Sequence, residues 1–261
     1  MSLASLFEGL RARRELGFIP YFTAGYPSVE ASLDFIEAAE RAGADAIEIG
    51  LPFSDPVADG PVIQASSQAA LDAGFRPIRF LEALAGRSAK APRIVMSYLN
   101  PLLALGDEGF MRLQRASVTG LVVPDLPLEE APLLRESAAC VGIDLALLAA
   151  PTTTAERLAL IAREARGFIY AVGVMGPTGA RRELDPALPA LLARLRAATD
   201  LPVAAGFGLS RPEHLAALTG LADAAIVGSR LVAAIRDGED LKSLLQSFKS
   251  STTPSLQESR C

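Results

Sequence analysis

Phe18-Ile-Pro-Tyr-Phe-Thr23 and Ala46-Ile-Glu-Ile-Gly50 are short β-type apolar runs, and Val29–Ala42 between them carries apolar residues at helical spacing. Strand, helix, strand in that order is a βαβ unit, which requires a parallel pair. The same alternation continues outward from this stretch. Further β-type runs occur at Arg93–Ser97, Gly120–Pro124, Asp144–Ala149, Phe168–Val172, Leu201–Ala205 and Ala224–Val227. Helix-type segments occur at Glu129–Val141, Ala155–Ala165 and Pro186–Ala198. Eight such units in one chain of 261 residues predict a single α/β domain, a closed (β/α)8 TIM barrel. Leu3, Leu6, Phe7 and Leu10 add a helical pattern before the first strand, suited to plugging the barrel floor. The barrel domain is read over residues 1–248, and residues 249–261 as a polar tail expected to be disordered.

The strand runs begin near residues 18, 45, 93, 120, 144, 168, 201 and 224. Most lie one minimal βα unit apart. The steps after the second and sixth runs are longer, and insertions in this fold collect in the loops that carry function. The first insertion contains Leu51-Pro-Phe-Ser-Asp-Pro-Val-Ala-Asp-Gly60, and the second includes the Gly- and Thr-rich segment 173–182.

Composition narrows the chemistry. One histidine cannot build a multi-His metal site, and two cysteines are too few for a zinc knuckle or disulfide framework, so no metal site is expected. A net charge of −5 without a dense Lys/Arg run argues against nucleic acid. No apolar run reaches membrane-spanning length, and the N-terminus lacks signal-peptide character. Together with the sparse cysteines, this predicts a cytoplasmic protein. Acid–base work falls to carboxylates.

Within Ala46–Gly50, alternation separates Ile47 and Ile49 from Glu48. The outer side of a barrel strand meets helices and is apolar, so Glu48 points inward. A carboxyl desolvated there has a raised pKa, as a general acid–base group needs. Asp55 and Asp59 stand in the loop above it, and spacing alone leaves both open as partners. Asp125 closes the fourth strand at the same rim, as a cap, a binding group or an interface residue. Gly206-Phe-Gly-Leu-Ser210 and Gly228-Ser229 follow strands seven and eight, where this fold binds phosphate on backbone amides and a helix N-terminus. Thr178 and Gly179 in the strand-six loop add a hydroxyl and an amide. Phe22 and Tyr170 are read as inward, forming a pocket for a flat apolar group or filling the core. Ser210-Arg-Pro-Glu-His214 reads as a capping box that leaves His214 on a helix surface.

Several stretches in order resemble the tryptophan synthase alpha chain family. They are Pro20-Tyr-Phe-Thr-Ala-Gly-Tyr-Pro27, the long block Glu48–Gln64, Tyr98-Leu-Asn-Pro101, Asp125-Leu-Pro127, Thr178-Gly179, Gly206–Ser210 and Gly228-Ser229. The resemblance runs from about residue 5 to 245. It implies cleavage of indole-3-glycerol phosphate to indole and glyceraldehyde 3-phosphate, with Glu48 and Asp59 as the catalytic pair. It implies Phe22, Tyr170 and Ile226 around the indole, and phosphate on Gly179, Gly206, Gly208, Gly228 and Ser229. It puts Tyr98, Asn100, Pro101 and Asp125 at the mouth or against a beta chain. That partner carries pyridoxal phosphate and forms an alpha2beta2 assembly, while this chain needs no cofactor. A stand-alone lyase releasing free indole is the alternative.

Overall fold

A computed structural model describes residues 1–106, 108–173, 185–206 and 208–253. Eight strands, β1 (Gly17–Thr23), β2 (Ile47–Gly50), β3 (Arg93–Met96), β4 (Val118–Val122), β5 (Asp144–Ala149), β6 (Ile169–Val172), β7 (Val203–Gly206) and β8 (Ala224–Val227), close in sequence order into a barrel. Every pairing is parallel, and β1 closes on β8 through Gly17↔Ala224 to Pro20↔Val227. The helices are α1 (Leu3–Arg13), α2 (Val29–Arg41), α3 (Pro61–Asp72), α4 (Pro77–Ala85), α5 (Leu99–Leu103), α6 (Gly109–Arg115), α7 (Ala131–Ala139), α8 (Ala155–Glu164), α9 (Ala187–Ala198), α10 (Pro212–Ala216), α11 (Ser229–Asp237) and α12 (Leu241–Ser250). The insertion after β2 is therefore more than a loop: it holds both α3 and α4.

Strand alternation divides the apolar residues into two shells. Phe18, Phe22, Ile47, Ile49, Val95, Leu121, Leu145, Ile169, Ala205 and Val227 join the helices in an outer cluster. Ile19, Tyr21, Ile94, Met96, Val122, Phe168, Tyr170 and Ile226 fill the barrel with Leu3, Leu6, Phe7 and Leu10 of α1. The plug expected of the N-terminal helix is thus present. It is pinned from outside by Arg11, whose Nε donates to Asp223 at 2.7 Å, while Asp223 Oδ2 accepts the Val203 amide at 2.8 Å.

Three expectations are corrected here. Phe22 does not face the lumen: it packs against Phe35 of α2 with ring centroids 6.2 Å apart, and Tyr21 faces inward instead. The tail does not start at 249. Helix α12 runs to Ser250, Lys249 Nζ pairs with Asp45 at 2.7 Å, and the carbonyl of the fully buried Thr252 accepts the Leu16 amide at 3.2 Å. Residues 254–261 lie outside the described residues. His214 is buried rather than on a surface. Pro212 opens α10 with Arg211 as N-cap, and the imidazole folds back so that Nδ1 accepts the Ser210 amide at 3.3 Å.

Candidate active site

Glu48 sits on β2 level with Tyr21 of β1 and Ile94 of β3, and points into the barrel as alternation requires. Its side chain is 1% exposed, and Oε1 has no hydrogen-bond partner. Burial first, and then the nearby Asp59 charge, push its carboxyl up to about 8, and a hydrogen bond from the Tyr170 hydroxyl offsets part of the rise. Such a group is protonated near neutrality and can release its proton there.

The chain after β2 turns back over the mouth. The Asp59 amide donates to the Pro56 carbonyl at 3.2 Å, and the Asp59 carbonyl accepts from Gln64 Nε2 at 2.9 Å. Gly60 and Pro61 then open α3, proline being tolerated where helical amides have no partner. Thr23 and Ser66, with hydroxyls 2.7 Å apart, fasten the first turns of α3 to β1. Asp59 is thereby buried in the mouth, whereas Asp55 is exposed and takes the Ser54 hydroxyl. Two loop carboxylates equivalent by spacing are thus separated by burial.

Tyr98 Oη donates to Asp59 Oδ2 at 3.0 Å and accepts the Ala58 amide at 2.9 Å. Burial pushes Asp59 up to about 6, with the Tyr98 hydrogen bond working against the rise. Tyr98 is 3% exposed, so of its two expected places, the mouth or a partner surface, it takes the inside of the mouth. Asn100 is exposed and Pro101 half-buried on α5, and Asp125 is exposed, with Oδ1 accepting the Leu99 amide at 2.8 Å. Among the described residues, no cluster of three or more His, Cys, Asp or Glu side chains could hold a metal ion.

Tyr170 and Ile226 face the lumen as expected. Gly206 ends β7, and a Cβ there would lie 2.5 Å from the Tyr170 ring, so this glycine makes room for that tyrosine. Gly208 takes φ +78°, a backbone state that favours glycine. Gly228 precedes α11, and Ser229 is its first residue. The free amides of that nine-residue helix open beside β8, an arrangement suited to an anion. Thr178 and Gly179 lie outside the described residues.

Tyr21 was the residue that sequence reading missed. A Cβ on Gly50 would fall 2.0 Å from its hydroxyl, so its ring leans across the end of β2. All seven residues of β1 are buried, so burial patterning within that strand gives no phase. Tyr21 stands level with Glu48 on the neighbouring strand, a register that only the folded barrel supplies.

A family model described as tryptophan synthase alpha chain matches residues 7–259. The tryptophan synthase alpha chain of Rippkaea orientalis is 45% identical over 250 residues, covering 93% of this chain and 94% of that one. That of Gluconacetobacter diazotrophicus is 48% identical over 242 residues, covering 91% and 88%. A chain of Mycobacterium tuberculosis tryptophan synthase superposes with a TM-score of 0.90 at 37% identity, covering 97% of this chain and 98% of that one. The alpha subunit from Legionella pneumophila superposes at 0.84 with 31% identity, covering 97% and 98%. With motif order, barrel topology and sequence in agreement along almost the whole length, the chain belongs to the tryptophan synthase alpha chain family.

Proposed function

We propose that Glu48 and Asp59 carry the family's reaction in this chain. The chain is the carbon–carbon lyase subunit of tryptophan synthase, splitting indole-3-glycerol phosphate into indole and glyceraldehyde 3-phosphate. The observation that carries the residue assignment is one pair of buried carboxyls at the same mouth, Glu48 from β2 and Asp59 from the loop above it, with burial pushing Glu48 up to about 8 and Asp59 to about 6.

Protonated Glu48 gives its proton to indole C3, leaving positive charge on the ring. Ionised Asp59 accepts the indole N–H and stabilises that charge. The bond between C3 and the glycerol chain then breaks, and its electron pair returns to the ring and restores neutral indole. The glycerol hydroxyl loses its proton to the Glu48 carboxylate as its carbon becomes the aldehyde, so Glu48 ends protonated again. Tyr21, Tyr170 and Ile226 surround the ring. Gly179, Gly206, Gly208, Gly228, Ser229 and Thr178 hold the phosphate, whose binding orients the reacting end. Asn100, Pro101 and Asp125, with exposed Leu103, face the beta chain in an alpha2beta2 assembly in which the partner carries pyridoxal phosphate. The exposed, unpaired Cys140 suits a cytoplasmic protein.

Turnover of indole-3-glycerol phosphate, measured with and without beta chain, tests the assignment. Glu48→Gln should lower cleavage by roughly 10²–10⁴-fold and leave binding of glycerol phosphate intact. Near-normal turnover in that variant would overturn the mechanism.

A further inference from the structure

Tyr98 touches the loop after β2 twice, through the Ala58 amide and through Asp59 Oδ2. Its ring packs on Phe53 of the same loop, with centroids 5.2 Å apart. It is also the N-cap of α5, and the next amide, Leu99, is held by Asp125 beyond β4. The phenol therefore ties the segments after β2 and β3 together at one carboxylate, and the adjoining Leu99 amide anchors that residue to the segment after β4. The Ala58 amide occupies a lone pair of the phenol oxygen, which orients its hydrogen towards Asp59. We propose that Tyr98 is a positioning residue for Asp59: its hydroxyl, fixed by Ala58 and α5, holds Oδ2 as an anion and leaves Oδ1 for the substrate. The consequence for catalysis rests on the reading of Asp59 given above.

The surroundings make this hydrogen bond decisive. Among the described residues, Glu48 of β2, Tyr21 of β1 and Tyr170 of β6 are the other titratable groups that act with Asp59, and none is a cation. Among the described residues, no Lys, Arg or His pairs with it. Tyr98 is itself pushed up by burial and by the Asp59 charge, so it stays a donor throughout the working range. Among the described residues Tyr98 is the one side-chain donor to Asp59, and a buried carboxylate that loses such a donor is protonated at higher pH.

The test is the titration of the Asp59 carboxyl carbon by 13C NMR in the full chain, assigned through Asp59→Asn. Tyr98→Phe removes one atom and keeps the ring on Phe53. Its Asp59 midpoint should rise by about one pH unit, a tenfold change in the ionisation constant. The acid limb of kcat should rise with it, so that turnover falls steeply near pH 6 and little near pH 8, at nearly constant KM. Site-specific 3-fluorotyrosine at position 98, a stronger donor, should move both midpoints the other way. An unmoved Asp59 midpoint in both variants, or an equal loss of kcat at every pH, would overturn the proposal. Because the carboxyl titration needs no turnover, a wild-type chain that fails to cleave substrate would count against the proposed function and leave this test standing.

Discussion

A glutamic acid sealed inside a barrel costs folding energy whenever it must ionise. Glu48 is held near 8 in the folded chain against an ordinary 4.5. The folded state thus keeps a proton that the unfolded chain has released. Stability from this source is full below about 4.5 and is lost as pH rises through about 8. Glu48→Gln cannot ionise, so its melting temperature should match wild type near pH 5 and exceed it increasingly towards pH 9. The difference in unfolding free energy should reach on the order of 5 kcal/mol at most. A constant difference across that range would show that Glu48 is not desolvated. Gly206 offers a second check, because Gly206→Ala puts a methyl into the Tyr170 ring and should impair substrate binding and turnover more than stability. The residue scale also shows where sequence was legible. Glu48 stands alone as a carboxylate between two isoleucines, and its polarity announced its direction. Phe22 and Tyr21 are adjacent aromatics in a wholly buried strand, where polarity carries no phase, so the sequence does not tell the outward residue from the inward one.

At the scale of elements, strand and helix periodicity recovered all eight strands in order, with boundaries shifted by a residue or two. Strand β7 begins at Val203 rather than Leu201, because Pro202 has no amide to enter the ladder. Side chains that reach past their own element were not legible. Arg93 opens β3 and is fully buried; Glu40 and Glu37 act on it through their charge, but among the described residues it has no ion pair. Its Nη1 donates to the carbonyls of Leu84 and Ala116, both at 3.0 Å, and its Nη2 to those of Arg87 and Ser88, both at 3.1 Å. One guanidinium thereby closes the C-terminal ends of α4 and α6, where helix dipoles favour a cation. Arg93→Met leaves four carbonyls, two buried and two part-buried, without that donor and should cost about 3 kcal/mol in a denaturant titration. Arg93→Lys should recover only part, because an ammonium cannot span the same fork. Full recovery by lysine would mean that charge alone, and not the planar geometry, matters there.

For the molecule as a whole, the two shells have different duties. The outer shell binds helices to the barrel, while the inner one is solid at the floor, where α1 fills it, and holds two acids at the mouth. The mouth carries Glu48 and Asp59 among Tyr21, Tyr98, Tyr170, Met96 and Ile226, a flat apolar lining around two acids. An indole ring entering it leaves water for a surface of low polarity, so its emission should shift to shorter wavelength and saturate. The chain contains no tryptophan, so no protein indole obscures that signal. Titration with indole and with an indole-bearing phosphate ester therefore reads out both ends of the site. Both ligands should give a saturable blue shift. Glycerol phosphate in excess should displace the ester, which depends on the loops after β7 and β8, and should displace indole much less. Glu48→Gln should retain both shifts, since it alters proton transfer and not the lining. Emission that stays at its aqueous wavelength through the titration would place indole outside the barrel, and displacement of both ligands alike would remove the separate phosphate subsite.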